Sequence, residues 1–286
     1  MQTESFDTFD MGRDLADSKG AVAFLFVDDD HWLCETIDHL DHLGFARIYA
    51  CGSAIAGFSH DCKKLIWLET PQMRNKVAVD ILNSKMAELA GRWVYYCFNG
   101  EFLHFPFDET RKIDDFTAFL AEERRVTALS TKIDIYPATE ISDLKKLEFG
   151  QCWLDRVGYY SNVGRDQHNN KIDNALNIQG GFRWRLSEYM PSDSQTLNRN
   201  SIFLAQQKLE MLHDFRFASR DYETAHANWH RSPTTVTASI RAYKYLRDHN
   251  KAEDIIGKLK YRGSAPYQKR ARQFMELGFM EPGQWF

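Results

Sequence analysis

The fold is decided by AVAFLFVDDDHWLCETIDHLDHLGFARIYACGS, residues 21–53. Its first seven residues form an unbroken apolar run between Gly20 and a cluster of aspartates, which is typical of a strand buried on both faces. Apolar residues then recur at helical spacing until Gly44, a residue type that commonly ends a helix. A second apolar run ends in Gly52 and Ser53. The segment therefore predicts a strand, a crossover helix and a second strand.

The same alternation continues to residue 98. KKLIWLE (63–69) predicts a third strand, QMRNKVAVDILNSKMAELAG (72–91) a second helix, and WVYYCF (93–98) a fourth strand. This order predicts an α/β fold with three layers, α/β/α, around a mixed, mostly parallel central sheet. Ligands of such sheets bind beyond the carboxyl ends of the strands. Those ends are residues 28–30, 51–53 and 98–101.

Three regions follow from this pattern, and we expect them to form one compact unit. Residues 1–19 are polar and acidic and predict a flexible N-terminal arm. Residues 20–140 form the α/β half. Residues 141–286 form a second half that we expect to be rich in loops and helices. Within it, 148–186 is rich in Gly, Asn and aromatic residues and suggests a layer of binding loops, while 235–249 and 266–279 predict amphipathic helices.

The composition excludes several classes of protein. The 286 residues are 43% hydrophobic, enough for a sizeable core, and the net charge of −4 gives no general attraction to nucleic acid. Five scattered cysteines without a CxxC pair favour a reducing compartment, with the thiols as core residues. There is no signal-peptide pattern and no run of about 18 apolar residues, so we expect a cytoplasmic protein.

The region 231–272 has the opposite charge to the rest of the chain. It contains eleven Lys or Arg and three Asp or Glu, with aromatic and aliphatic residues between them. One interpretation is peripheral contact with the anionic inner face of a membrane. The other is ordinary helices that pack on the core and expose their charges to water. No nucleic-acid-binding motif accompanies the basic residues.

Three segments together resemble one family. They are FLFVDDDHWLCETIDHLDHLGFARIYACGS (24–53), GRWVYYCFNGEFLHF (91–105), and QGGFRWRL (179–186) followed by SQTLNRNSIFL (194–204). In order and spacing they resemble the bacterial family 2 glycosyltransferases of the GT-A fold, in the branch that adds sugars to surface or extracellular polysaccharides. The resemblance covers residues 20–230 and implies a nucleotide-sugar donor and a glycan or lipid-linked acceptor.

The chain departs from this family at its metal-binding motif. The family has Asp-x-Asp-Glu where this chain has Phe98, Asn99, Gly100 and Glu101. Mg²⁺ and Mn²⁺ prefer hard oxygen ligands, and neither the phenyl ring nor the glycine has a side-chain oxygen. This degenerate motif implies a metal-independent enzyme, so we assign no metal ligand. The alternative is that aspartates 28–30 turn inward and bind Mg²⁺ or Mn²⁺ in its place.

The resemblance also implies which residues bind the donor. They are Asp28, Asp29, Gly52, Ser53, Asn99, Arg183 and His213. For the aspartates, the alternative is a cap at the start of the first helix, where both capping and the helix dipole favour Asp. For Arg183, a guanidinium beside a glycine turn suits a phosphate, and the alternative is a salt bridge to Glu188 or Asp155.

Glycosyl transfer with inversion needs a carboxylate base, and the candidates are Glu101, Asp155 and Glu188. His226 and His230 have the i, i+4 spacing of a helical metal pair, and the alternative is packed, hydrogen-bonded histidines. Two hypotheses about function remain open. One is an active glycosyltransferase that uses a nucleotide-sugar donor. The other is a catalytically inactive glycosyltransferase fold that serves as a binding or scaffold protein.

Overall fold

The computed structural model describes residues 2–138, 147–165, 168, 170–191, 196–223, 232–249 and 259–285. The chain divides into two compact units. The first contains residues 1–100, 110–129 and 200–223, and the second contains 101–109, 130–199 and 224–286. The predicted division at residue 140 is therefore wrong. The chain enters the second unit at Glu101 and returns twice to the first, because strands far apart in sequence pair within each unit.

Helices and strands are interleaved along the chain. As far as β7 they are β1 (Gln2–Ser5), α1 (Met11–Leu15), β2 (Val22–Phe26), α2 (Leu33–Leu43), β3 (Arg47–Gly52), β4 (Leu65–Glu69), α3 (Asn75–Lys85), β5 (Trp93–Phe98), β6 (Glu101–His104), α4 (Ile113–Glu122) and β7 (Thr127–Pro137). They continue with β8 (Cys152–Asp155), β9 (Tyr159–Arg165), β10 (Lys171–Gly180), α5 (Gly181–Arg185), β11 (Asn198–Leu204), α6 (Arg220–Glu223), β12 (Thr235–Ser239), α7 (Arg241–Asp248), β13 (Ser264–Pro266) and α8 (Ala271–Glu276).

The sheet of the first unit is mostly parallel. Its strands follow the order β1-β4-β3-β2-β5-β11. The first four neighbouring pairs are parallel, and β5 pairs with β11 in the antiparallel direction. All five residues of β2 are buried, as its unbroken apolar run predicts. The predicted α/β class with a mixed, mostly parallel sheet is therefore confirmed.

Apolar side chains cover both faces of this sheet. Phe24 belongs to a core cluster that also contains Val79 and Leu82 of α3. On the other face, Phe45, which follows α2, stacks on Tyr95 with ring centroids 5.6 Å apart. Both neighbours of Tyr95 in β5 belong to the core cluster, and successive residues of a strand point to opposite faces. Helical layers therefore lie on the two sides of the sheet.

The N-terminal residues are part of the first unit, and the predicted flexible arm is wrong. Strand β1 pairs with β4 in the parallel direction. Met11 and Leu15 of α1 are buried in the core cluster. The Lys85 ammonium donates to the carbonyl oxygen of Phe9 at 2.9 Å. The polar composition of this segment hid two apolar residues, Met11 and Leu15, that lie in the core.

The second unit is richer in strands than its sequence predicts. Strand β12 is parallel to β7 and antiparallel to β6. Strand β8 pairs with β7 and β13, and β9 pairs with β10, all in the antiparallel direction. The predicted loops at 148–186 are therefore largely strands. The helix predicted at 235–249 begins only at Arg241, because the β-branched residues before it form the buried β12.

Candidate functional site

Three strand ends of the first unit meet at one edge of the sheet. Phe26, the last residue of β2, is in register with Cys51 of β3 and with Phe98 of β5. The amide of Val27 donates to the carbonyl oxygen of Cys51 at 2.8 Å. The loops after these strands therefore lie side by side, as expected for the ligand-binding edge of a parallel sheet.

Asn99 holds two of these loops together. Its side chain is fully buried, and its Oδ1 accepts from the backbone N–H of Asp28 at 3.1 Å. Its Nδ2 donates to the backbone oxygens of Asp29 and His31 and to the Asp29 carboxylate, at 3.1, 3.0 and 2.8 Å. These four hydrogen bonds give Asn99 a structural role at this edge. We predicted a ligand contact, and the structure shows the amide bonded to the neighbouring loop.

The N-cap position of the helix that follows β2 is not an aspartate. The N-cap residue of α2 is Trp32, which has a left-handed backbone with φ 55° and no side-chain cap. The Asp29 carboxylate instead accepts from the N–H of His31 at 2.9 Å. The predicted position of the cap is therefore taken by Trp32. Asp29 braces the loop, while the side chain of Asp28 is exposed at the edge.

Gly52 allows the ends of β2 and β3 to approach closely. A Cβ at this position would lie 2.8 Å from the carbonyl oxygen of Val27. The carbonyl oxygen of Gly52 accepts from the N–H of Thr70 at 3.2 Å. Ser53, the next residue, is exposed. The exposed polar side chains at this edge therefore include Asp28 and Ser53, and both were predicted to bind the donor.

The place of the family's metal ligands is apolar. Phe98 is 3% exposed and packs against Phe26 and Phe215, with ring centroids 5.5 and 6.0 Å away. Gly100 has φ 79°, and its N–H donates to the hydroxyl of Thr36 at 2.9 Å. These residues do not fit Mg²⁺ or Mn²⁺. Within the described ranges, no three His, Cys, Asp or Glu side chains are placed to hold a metal ion.

Glu101 begins β6 in the second unit, where it is 2% exposed. Its carboxylate forms a two-point ion pair with the guanidinium of Arg199, with an Nη1–Oε1 distance of 3.3 Å. A carboxylate held in this way is stabilised in its charged form and directed at a cation. Glu101, predicted as a catalytic base, is therefore engaged with Arg199, which the sequence analysis did not single out.

Arg183 forms a second two-point ion pair. Its Nε lies 2.8 Å from Oδ2 of Asp134, and its Nη2 lies 3.0 Å from Oδ1. The salt bridge weighed as an alternative to phosphate binding exists, but its partner is neither Glu188 nor Asp155. Asp134 was missed. The alternation of polar and apolar residues in β7 was the signal that could have located it.

Lys132 is a third cation close to these two ion pairs. It was not among the residues predicted from the sequence. It precedes Asp134 by two residues, so both side chains project from one face of β7. Burial, reinforced by the positive charges of Arg183 and Arg199, lowers the pKa of Lys132 to about 7, although Glu101 and Asp134 act in the opposite direction. The side chain is partly exposed. A charged group that binds beside Lys132 would therefore change how far this side chain is protonated.

Asp155 lies in a separate ionic group of the second unit. It is buried and accepts hydrogen bonds from the Tyr136 hydroxyl and from the Arg185 guanidinium, the latter at 3.2 Å to each oxygen. Burial raises the pKa of the Asp155 carboxyl, and the two donors oppose that shift. The guanidinium lies 4.7 Å from the ring centroid of Tyr261. Asp155 is thus held by hydrogen bonds from Tyr136 and Arg185, and the Tyr261 ring packs on that guanidinium.

The remaining predicted residues are dispersed. Glu188 is exposed, in the short turn Ser187–Tyr189 of the second unit. His213 is exposed in the first unit, in a turn closed by the bridge between Met211 and Phe217. The pair formed by His226 and His230 lies outside the described residues.

Two aromatic side chains of the second unit are strongly exposed. Tyr160 of β9 is 55% exposed and Trp184 of α5 is 51% exposed, and their ring centroids lie 6.1 Å apart. Most large aromatic side chains are buried in folded proteins, so a neighbouring exposed pair is a candidate contact surface. The β9–β10 hairpin that carries Tyr160 also exposes Val163.

Comparison with known proteins gives only weak similarities. No family model and no curated protein matches the chain. Among solved structures, HddC from Yersinia pseudotuberculosis is 12% identical, with a TM-score of 0.34, covering 81% of this chain and 100% of that one. UTP-bound UGPase from Acinetobacter baumannii is 9% identical, with a TM-score of 0.35, covering 84% and 96%. A putative glucose-1-phosphate thymidylyltransferase from Bacillus anthracis is 10% identical, with a TM-score of 0.32, covering 65% and 72%.

These similarities are too low to assign the chain a family, a ligand or a reaction. The three matched structures carry the names of other proteins than family 2 glycosyltransferases, so that family is not shown. In the part of the chain that the structure describes, no helix is long and apolar enough to cross a membrane. The class that the structure itself defines is a mixed α/β protein with polar groups at the carboxyl edge of a parallel sheet.

Proposed function

We propose that the protein is a glycosyltransferase that takes a sugar from a nucleotide-sugar donor and transfers it to a surface or extracellular polysaccharide, or to another glycan acceptor, without the family's metal ion. The observation that carries this proposal is the edge of the first unit, where the loops after β2, β3 and β5 meet. Asn99 braces that edge by four hydrogen bonds. A parallel sheet binds its ligand at such an edge.

For the donor, the exposed groups at the edge match the polar parts of a nucleotide. A carboxylate such as Asp28 accepts hydrogen bonds from ribose hydroxyls or a base N–H, and a hydroxyl such as Ser53 serves as donor or acceptor. Gly52 leaves room for the approach of the two strands, since a Cβ there would meet the Val27 carbonyl at 2.8 Å. Phe98 and Gly100 supply no side-chain oxygen, so charge on a leaving diphosphate must be offset by other groups.

For the acceptor, the exposed pair of Tyr160 and Trp184 supports a glycan. The apolar face of a sugar ring packs on an aromatic ring, and two rings 6.1 Å apart present adjacent surfaces of this kind. Replacing Trp184 by Ala is expected to weaken binding of glycan fragments about tenfold. Val163→Ala, on the same hairpin and 49% exposed, is the matched control.

The direct test is calorimetric titration with UDP, GDP and their common sugars, with and without Mn²⁺. We expect binding that does not depend on Mn²⁺. Gly52→Ala should weaken this binding, whereas Gly150→Ala should leave it unchanged, because a Cβ at Gly150 meets no atom within 4 Å. Binding that requires Mn²⁺ would contradict the metal-independent donor site, and absence of any nucleotide binding would contradict the transferase.

A second candidate is a catalytically inactive protein that keeps the fold and binds a nucleotide, glycan or partner. It is favoured by the state of two predicted bases, because Glu101 and Asp155 are both buried and ion-paired with arginine. Glu188, the third predicted base, is exposed. Release of nucleoside diphosphate from a bound nucleotide sugar, followed with a glycan acceptor, separates the two candidates. Glu188→Gln should abolish that release if Glu188 is the base.

We also propose that the protein is cytoplasmic and that it contacts the inner face of the membrane peripherally. The basic region 231–272 supports the contact by its charge, but part of it is committed to packing. Tyr243, Lys244 and Leu246 of α7 are buried. Sedimentation with vesicles that contain phosphatidylserine tests the contact, and binding should weaken as salt is raised. Equal recovery with neutral vesicles would contradict an electrostatic attachment.

A further inference from the structure

We propose that Lys132, together with Arg183 and Arg199, forms a binding site for a phosphate or diphosphate group on the sheet face of the second unit. This proposal goes beyond the proposed function, because it concerns an anion site within the second unit by itself. The same chemistry would also bind free inorganic phosphate or pyrophosphate.

The first argument is the placement of side chains on the sheet. Lys132 of β7 is in register with Thr237 of β12. One step further along the same face, Asp134 is in register with Ser239, and Ser239 with Glu101 of β6. Thr237 and Ser239 are fully buried. Residues in register share a face, so these hydroxyls and charges lie together on one face of the sheet.

The second argument is the convergence of the arginines on this surface. Arg183 comes from α5 and pairs with Asp134. Arg199 comes from β11 and pairs with Glu101. In the strand order β7 and β12 stand between β11 and β6. The Arg199–Glu101 pair therefore joins residues on either side of β7, which carries Lys132, and of β12.

The third argument is charge. Each arginine already faces a carboxylate, whereas no carboxylate of the described residues lies within 4.0 Å of the Lys132 ammonium. The cluster of these five side chains thus has three cations and two carboxylates. Burying excess positive charge is unfavourable unless an anion offsets it. Because Lys132 is partly exposed, it is the point at which such an anion can enter.

The chemistry of the cluster favours a phosphate group. A lysine ammonium binds phosphate as a point charge, and guanidinium groups direct further N–H donors at phosphate oxygens. The groups that face Lys132 are Glu101 from β6, Asp134 from β7, Arg183 from α5 and Arg199 from β11, while β12 contributes only hydroxyls. An anion that binds here strengthens the attraction of Lys132 for its proton. Binding near pH 8 should therefore draw a proton onto this side chain.

The test is calorimetric titration of the full chain with pyrophosphate and separately with UDP at pH 8, in two buffers of different ionisation enthalpy. Lys132→Met should weaken pyrophosphate binding about tenfold, the effect of one charge-assisted hydrogen bond. Lys132→Arg should keep the affinity within about threefold but remove the proton uptake, because arginine stays charged. The exposed Lys208→Met is the control for loss of a lysine and should behave as the wild type.

The outcomes separate this proposal from the proposed function. Pyrophosphate binding that depends on Lys132, without any UDP binding, supports the phosphate site and removes the nucleotide-sugar donor. Pyrophosphate binding that is the same in Lys132→Met overturns the role of Lys132, whatever UDP does. Absence of pyrophosphate binding by the wild type also overturns it. Thermal unfolding of each variant checks the fold, and Lys132→Met should be no less stable, since it removes a cation placed between two others.

Discussion

Asn99 and Glu101 are separated by one glycine, yet they belong to different units and use opposite chemistry. Asn99 is neutral and buried, and it holds a loop through four hydrogen bonds. Glu101 is charged and buried, and it is held by one arginine. The family that this segment resembles places metal-binding carboxylates at this turn. In this chain Phe98 and Gly100 have no side-chain oxygen, and the carboxylate of Glu101 faces Arg199.

The difference shows two ways of burying polar groups. A neutral amide with all its hydrogen bonds satisfied costs little to bury and fixes a loop in one conformation. A buried ion pair must overcome the desolvation of both charges, so its net benefit is small, whereas its disruption leaves an unpaired charge and is costly. Removing either side chain should therefore lower the free energy of unfolding. The loss should be larger for Glu101 than for Asn99.

The largest effect is expected for Glu101→Gln. The change leaves the buried Arg199 without its carboxylate, in a cluster that already contains Lys132 and Arg183. We expect the free energy of unfolding to fall by about 4 kcal/mol, measured by urea denaturation. Glu122→Gln, an exposed residue at the end of α4, should change it by less than about 0.5 kcal/mol. Equal losses in both variants would mean that the ion pair is not a buried one.

Asn99→Ala should have the next largest effect. It removes four hydrogen bonds and leaves buried donors and acceptors of the β2–α2 loop unsatisfied. The expected loss is about 3 kcal/mol, again by urea denaturation. The exposed Gln207→Ala provides the control. Asn99→Asp keeps the shape but adds a carboxylate beside Asp29, so a stability equal to the wild type would refute the amide brace.

Tyr136→Phe tests the second ionic group. The hydroxyl donates to Asp155 and lies 2.8 Å from the hydroxyl of Ser264, so its removal takes one donor from a buried carboxylate. The expected loss is about 1.5 kcal/mol. Tyr160→Phe, which removes an exposed hydroxyl, should be close to neutral in the same denaturation experiment. A neutral result for both would show that Arg185 alone satisfies Asp155.

The smallest effect is the pH dependence that Lys132 confers. Its pKa is lowered to about 7 in the folded protein, so between that value and the ordinary lysine pKa the unfolded chain binds more protons. Stability should therefore rise with pH above 7, by less than about 1 kcal/mol between pH 7 and 8. Below pH 7 the unfavourable charge is fully present. Lys132→Met should remove this increment, and an unchanged pH profile in that variant would contradict the assignment.

Much of the first unit could be predicted from local patterns. The apolar run of β2 and the helical spacing that ends at Gly44 each depend on residues close in sequence, and the structure contains both elements. The prediction of a flexible N-terminal arm was wrong because the segment, although polar, contains the apolar residues Met11 and Leu15. The prediction of a helix before Arg241 was wrong because a run rich in β-branched residues was taken as helical, and it forms β12.

The sites were less predictable than the strands. Strand ends located Asp28, Gly52 and Asn99 at one edge, because parallel strands align their carboxyl ends. The partners of Glu101 and Arg183 are distant in sequence, and no local pattern specifies which arginine faces which carboxylate.

By itself the sequence determined the order of strands and helices from β2 to β5 and the lack of side-chain oxygens at Phe98 and Gly100, since both depend on residue type and near neighbours. Only the tertiary structure decided that Asn99 braces a loop and that Phe98 belongs to the core. It also decided that Lys132 lies near Arg183 and Arg199. Those outcomes depend on strand register across the sheets, where side chains far apart in sequence are brought within hydrogen-bonding distance and out of water.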